Sequence, residues 1–242
     1  MSGHSLLKEF FRIIFPPICI SCRQKIRDGL VCGKCMSSTK IRSGFLCPTC
    51  DRRLPPERHG LPERTNPPPC HPKSKFVLAA ASFYENAVVR ELIHVLKYRR
   101  IKEAAEPIAE IIGEYITKTI KDDSSSFVII PIPLHPRREK ERGFNQSALI
   151  AEIVATESGF PIQSGNLTRT GKTNPQIQMK SYEERKSNVA GCFQIKKPEL
   201  VAGQNIILVD DVFTSGATMK EATKTLKNGG AKKIIGFVVA KA

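Results

Sequence analysis

In LVDDVFTSGAT, residues 208–218, an apolar run enters two adjacent carboxylates, Asp210 and Asp211, and leaves through hydroxyls and a glycine. The run begins earlier, as NIILVDD (205–211), short and apolar as a central strand of a parallel sheet requires. A helix is expected from about Ala217 to Asn228, with Met219, Ala222 and Leu226 on one face. Gly229 and Gly230 end it, and Lys224 and Lys227 complement the negative end of its dipole. KIIGFVVA (233–240) is the next strand. A strand, a loop, a helix and a strand in this order predict an α/β fold with a mostly parallel sheet flanked by helices.

The pattern extends towards the N-terminus. FVLAAASFY (76–84) reads as a strand. AVVRELIHVLKY (87–98) reads as a helix whose apolar face carries Val88, Val89, Leu92, Ile93 and Leu96, with His94 and Lys97 on or near its other side. AAEPIAEIIGEYI (104–116) is a second helix, in which Pro107 marks a kink or a late start. FVIIPIP (127–133) is a buried strand stopped by prolines, and NQSALIAEIVATES (145–158) is an amphipathic helix ended by Gly159.

Before residue 76 the composition changes. Cys19 and Cys22, Cys32 and Cys35, and Cys47 and Cys50 form three Cys-x2-Cys pairs, with Cys70 alone after them. Two such pairs can close a tetrahedral zinc site. The simplest pairing joins Cys19, Cys22, Cys32 and Cys35, leaving Cys47, Cys50 and Cys70 to find a fourth ligand in His71 or His59; an interleaved pairing is the alternative. A segment this small, rich in Pro, Gly and Arg, builds little core, and metal would supply the missing stability. Cys192, among apolar neighbours, reads as a buried hydrophobe. The proline cluster TNPPPCHP (65–72) ends the segment, so two units are expected: a cysteine-rich module over 1–75 and an α/β domain over 76–242.

The 242 residues are 40% hydrophobic, in keeping with a globular protein that has a core. The apolar runs are too short to span a bilayer. SLLKEFFRIIFPP (5–17) is broken by Lys8, Glu9 and Arg12 and is followed by no small-residue cleavage site, which argues for an amphipathic helix and a cytoplasmic chain. The formal charge is +15, and residues 1–75 hold fourteen Lys and Arg against five Asp and Glu, a surplus of nine. Such a field favours polyanions, either nucleic acid or a polyphosphorylated metabolite. Aromatic residues are 7% with no Trp, a thin basis for stacking single-stranded bases.

In an open α/β sheet, ligands sit at the carboxyl ends of the strands, where Asp210 and Asp211 fall. The loop from Thr214 through Ser215, Gly216 and Ala217 to Thr218 enters a helix, so backbone N–H groups and the helix dipole favour phosphate there. The two carboxylates would repel a bare polyphosphate but suit sugar hydroxyls, with a divalent cation to balance charge. Ribose 5-phosphate is the smallest common group with both features. No G-x-x-x-x-G-K-[ST] motif occurs, which argues against a P-loop nucleotide site.

IILVDDVFTSGATMKEATKTLKNGGA resembles the ribose-phosphate signature of the type I phosphoribosyltransferases. Together with LIHVLKYRR, IIPIPLHPRREKERGFNQSALIAE, LTRTGKTNPQIQMKSYEERKSNVAGCFQI and the cysteine pairs, it is similar to the ComF/GntX family, tied to natural competence and use of external DNA. The likeness covers nearly the whole chain. Members often carry a fourth Cys-x2-Cys, whereas here Lys73 holds the second place after Cys70. The resemblance implies structural zinc and a site for 5-phosphoribosyl diphosphate with magnesium. Asp210 and Asp211 would hold the ribose hydroxyls and Thr214–Thr218 the 5-phosphate. The diphosphate would meet His135, Arg137, Arg138 and Arg142, since arginine forks suit a leaving diphosphate. Arg169, Lys172, Thr173 and Gln176 would lie on a loop that closes over the site, with Arg185 and Asn188 positioning it. The acceptor is open, and single-stranded DNA and the DNA-uptake machinery are the implied partners.

Overall fold

A computed structural model of the chain describes residues 16–55, 70–71, 73–99, 102–120, 126–170 and 190–242. In chain order the elements are α1 (Gly33–Ser37), β1 (Val77–Phe83), α2 (Ala87–His94), α3 (Ala105–Thr119), β2 (Val128–Pro131), α4 (Pro136–Arg142), α5 (Gln146–Ser158), β3 (Leu167–Arg169), β4 (Phe193–Ile195), β5 (Asn205–Phe213), α6 (Ala217–Asn228) and β6 (Lys233–Lys241). A π-helical turn (Val95–Arg99) follows α2, and a short 3-10 turn (Lys102–Ala104) leads into α3.

β1, β6, β5 and β2 form one parallel sheet in that order. Alternation along its strands builds a core on each face. Val77, Ala79, Ile207, Val209, Ile235 and Phe237 point to the side packed by α2, α3 and α5. Leu78, Ala80, Ile206, Leu208, Ile234 and Val238 point to the side packed by α6. Helices on both faces bring the carboxyl ends of all four strands to one edge, where Phe83, Pro131, Phe213 and Lys241 lie. Among the described residues no helix is long and apolar enough to cross a membrane. The amphipathic segment expected over 5–17 lies outside the described residues except for its two prolines.

Pro107 is the third residue of α3, where its missing N–H removes no intrahelical bond, so it marks an early position rather than a kink. Gly159 caps α5 in the left-handed conformation at φ 76°, as its place in the sequence suggests. Two expectations change. The helix expected to reach residue 98 gives way to the π turn after His94. LTR, expected to open a loop, is strand β3, paired antiparallel with β4.

The cysteine-rich segment joins the sheet. Arg42 N–H donates to Ala81 O at 2.9 Å, and Leu46 and Leu78 exchange N–H···O bonds of 2.8 and 2.9 Å. Residues 41–46 therefore cover the free edge of β1 as an antiparallel partner. Phe45 enters one core and Leu46 the other, as alternation on an added strand demands. The Tyr115 hydroxyl donates to Gly44 O at 2.7 Å, and Lys241 pairs with Asp51 at 2.8 Å.

Candidate functional site

A cleft of about 240 Å³ opens at the carboxyl ends of the strands, between β5, the start of α6, the π turn, α4 and the N-terminal end of α5. Asp210 and Asp211, near the end of β5, line it. Asp210 Oδ1 accepts from the Ser147 hydroxyl and from the Asp211 backbone N–H, both at 2.9 Å. Burial, and then the charge of Asp211, push the Asp210 carboxyl up to about 7, against the opposing pull of these donors and of Lys97. Asp211 is 5% exposed, and its Oδ1 meets Lys97 Nζ at 2.8 Å. Burial works against the Lys97 ammonium, but Asp211 and Asp210 outweigh it and hold its pKa above the usual value.

Lys97 was expected on or near the polar side of its helix; it points into the cleft instead. It lies four residues after Ile93 and eight after Val89, on the buried stripe, and the wider π turn carries it to the strand ends. A cation on an apolar stripe needs an anion, and that was the signal available in the sequence. His94 is exposed, as expected. Ser147 and Gln146 were also missed. Both are buried and line the cleft, Ser147 reaches Asp210, and Gln146 Oε1 has no hydrogen-bond partner among the described residues.

The loop after the carboxylates enters α6 through Gly216, whose φ of 71° is left-handed and whose added Cβ would meet the Phe213 ring at 2.3 Å. Gly216 occupies the cap position, Ser215 Oγ accepts from the Ala217 N–H at 3.4 Å, and the start of α6 lines the cleft with the positive end of its dipole. Thr214, Ser215, Gly216, Ala217 and Thr218 all line this wall.

The opposite wall is cationic. Arg138, Arg142 and Arg169 line it, from α4 and the end of β3. Burial and then repulsion from Arg142 and Arg169 lower the Arg138 pKa, as expected where guanidinium groups are gathered closely. The Arg142 guanidinium lies 5.5 Å from the Tyr98 ring centre, and Arg169 lies 5.6 Å from that of Phe193, its partner across the β3–β4 pair. His135 and Arg137 stand apart. The His135 ring caps α4 by accepting from Arg137 N–H at 3.2 Å, and the Arg137 side chain, 83% exposed, pairs with Glu141. Lys172, Thr173, Gln176, Arg185 and Asn188 lie outside the described residues.

Two cysteine clusters complete the functional geometry. The ligand atoms of Cys19, Cys22, Cys32 and Cys35 lie within 4.8 Å of one another, as do those of Cys47, Cys50, Cys70 and His71. Zn–S bonds of about 2.3 Å in a tetrahedron place sulfurs about 3.8 Å apart. Cys22 and Cys32 sulfurs are 3.7 Å apart, and His71 Nδ1 lies 3.4 and 3.3 Å from the sulfurs of Cys47 and Cys70. Both sets fit zinc, and the sequential pairing holds, with His71 in the place that a fourth Cys-x2-Cys would fill. Arg23 and Asp51, each following the second cysteine of its pair, have φ of 63° and 62°, so the two knuckles turn alike. Burial opposes ionisation of Cys19 and Cys47, but backbone N–H donors pull both down to about 6. Neighbouring sulfurs push Cys35 up to about 12 and Cys70 up to about 11, protons that a cation would displace.

The phosphoribosyl transferase domain family matches residues 147–242, and the double zinc ribbon domain family matches residues 10–71. Competence protein ComFC of Bacillus subtilis is 29% identical over 215 residues, which is 88% of this chain and 84% of that protein. DNA utilization protein YhgH of Salmonella typhimurium is 30% identical over 226 residues, 90% of this chain and 94% of that protein. Among solved structures, the B. subtilis glutamine phosphoribosylpyrophosphate amidotransferase complexed with ADP and GMP aligns with 55% of this chain and 25% of its own, at 16% identity and a TM-score of 0.34, a likeness too slight to argue from. With zinc-binding clusters ahead of a parallel sheet that ends in the acidic pair, and with relatives of this extent, the chain belongs to the ComF/GntX family of competence and DNA-utilization proteins.

Proposed function

We propose that the cleft binds 5-phosphoribosyl diphosphate. Asp210 and Asp211 accept from the ribose hydroxyls, the loop Thr214–Thr218 cradles the 5-phosphate, and Arg138, Arg142 and Arg169 receive the diphosphate. The observation that carries this reading is the gathering of two carboxylates, the glycine-led start of α6 and three guanidinium groups in one cleft. In a transfer reaction an acceptor's lone pair attacks the anomeric carbon, the bond to diphosphate breaks, and its electron pair leaves with the diphosphate. Preorganised arginine forks stabilise that leaving charge. His135 supports them by capping α4, which carries Arg138 and Arg142. Magnesium bound with the diphosphate would neutralise part of its charge.

The relatives' names extend the reading to DNA uptake or use of external DNA. A second reading is favoured by the surplus of nine positive charges before residue 76. In it the phosphoribosyl site is a non-catalytic sensor and the basic zinc module contacts single-stranded DNA. Calorimetric titration with 5-phosphoribosyl diphosphate and magnesium tests the site. Replacing both aspartates by asparagine should weaken binding by on the order of 2–5 kcal/mol, the loss of two charge-assisted hydrogen bonds. Unchanged affinity would move the site elsewhere. Diphosphate release in an acceptor screen supports the enzyme; its absence, with DNA affinity that falls steeply with salt, supports the sensor.

A further inference from the structure

We infer that Lys97 is the resident cation of the acidic pair, so that the sugar-phosphate part of the cleft takes ribose 5-phosphate without a divalent metal. The inference rests on the reading that Asp210 and Asp211 receive the ribose. The amino group lies 2.8 Å from Asp211 Oδ1, with the two side chains only 20% and 7% exposed. It comes from the π turn, a local widening of the helix that sets this residue at the strand ends. Asp211 is thus charge-balanced from within the chain. Its other oxygen, Oδ2, is buried with no hydrogen-bond partner among the described residues, an acceptor suited to a hydroxyl.

Magnesium does not fit beside this arrangement. It demands octahedral oxygen ligands at about 2.0–2.1 Å and keeps several of its waters. The ammonium at 2.8 Å already balances this nearly buried carboxylate, and a divalent ion brought beside it would be repelled by that charge. Any magnesium that enters the cleft belongs with the diphosphate, towards Arg138, Arg142 and Arg169. Lys97 is then a positioning residue: its contact with Oδ1 orients Asp211 and leaves the other oxygen for the sugar.

The test is calorimetry of the full chain with ribose 5-phosphate, once in EDTA and once in magnesium, for the native protein, Lys97→Met and Lys97→Arg, each first shown to be folded by thermal melting. The native protein should bind equally, within about twofold, in both conditions, and Lys97→Arg should keep this indifference. Lys97→Met should lose about tenfold or more in EDTA and regain part of it in magnesium, which can now reach the vacated carboxylate. Native binding that requires magnesium overturns the inference while leaving the phosphoribosyl site intact. So does a Lys97→Met protein that is unaffected, or equally weakened in both conditions. A native protein that binds ribose 5-phosphate in neither condition removes the phosphoribosyl reading itself. Should Lys97→Met fail to fold, the native and Lys97→Arg titrations decide the question.

Discussion

Gly216→Ala tests the phosphate loop, because two separable costs meet at that position. The φ of 71° is left-handed, which costs a residue with a Cβ roughly 1–2 kcal/mol. The new methyl would also stand 2.3 Å from Phe213 Cζ and 2.7 Å from its Cε2. Phe213 is 4% exposed and packed in the core beneath α6, so the ring has little room to withdraw. Overpacking of this kind costs about 1–3 kcal/mol. The sum is about 2–5 kcal/mol, and for a chain of this size about 3 kcal/mol lowers the melting temperature by about 6–12 °C. Thermal melting of the native protein, Gly216→Ala, Phe213→Leu and the double variant apportions the two terms. Phe213→Leu should recover the overlap but not the backbone cost, so the double variant should be more stable than the sum of the single losses implies. A Gly216→Ala protein that melts with the native one would refute both halves of the reasoning. Strict additivity in the cycle would refute the collision with Phe213 alone.

The remaining predictions concern metal, pH and the module boundary. Elemental analysis should find two zinc ions per chain, and His71→Ala should reduce the count to one, since the second cluster then keeps only Cys47, Cys50 and Cys70. Asp210, raised from 3.8 to about 7, binds its proton more tightly folded than unfolded, so its contribution to stability is complete below about pH 4 and is lost as pH rises towards 7. Asp210→Asn should flatten that limb of the stability profile, measured by urea denaturation at a series of pH values. Deleting residues 1–75 strips the antiparallel partner from β1 and removes Phe45 and Leu46 from the two cores; the remainder should aggregate in size-exclusion chromatography rather than run as a monomer. A soluble, monomeric fragment that binds ribose 5-phosphate normally would show that the sheet edge needs no cover.

The fold was legible wherever one residue's environment repeats along an element. α6 runs from Ala217 to Asn228 and β6 begins at Lys233, as read from a helical face closed by two glycines and a following apolar run. The ligand cysteines were legible too, from their Cys-x2-Cys spacing, but the choice of sequential over interleaved pairing and of His71 as fourth ligand needed coordinates. The edge pairing was not. RSGFLC, residues 42–47, has no strand-length alternation and sits between cysteines, so nothing local announces that Arg42 and Leu46 will bond to β1 about 35 residues later. Strand β3 was hidden for a related reason. Three residues carry no period, and Leu167–Arg169 is a strand because Phe193–Ile195 lies beside it.

In the candidate site, motif residues were legible and their counter-charges were not. Asp210 and Asp211 adjoin in sequence, and any reading of strand ends finds them. The neutralising partner of Asp211 comes from 114 residues earlier and reaches it only because the turn after α2 widens. The same holds on the cationic wall. RREKER reads as one charged run, yet Arg137 turns outward to Glu141 while Arg138 and Arg142, four residues apart on one face of α4, line the cleft. Helical periodicity sorts these three arginines once the run is known to be a helix, and it is a helix because His135 caps it and Pro136 opens it. A capped heptapeptide thus decides which guanidinium groups can meet an anion, and the counter-charge of Asp211 comes from a lysine on the turn that follows another helix.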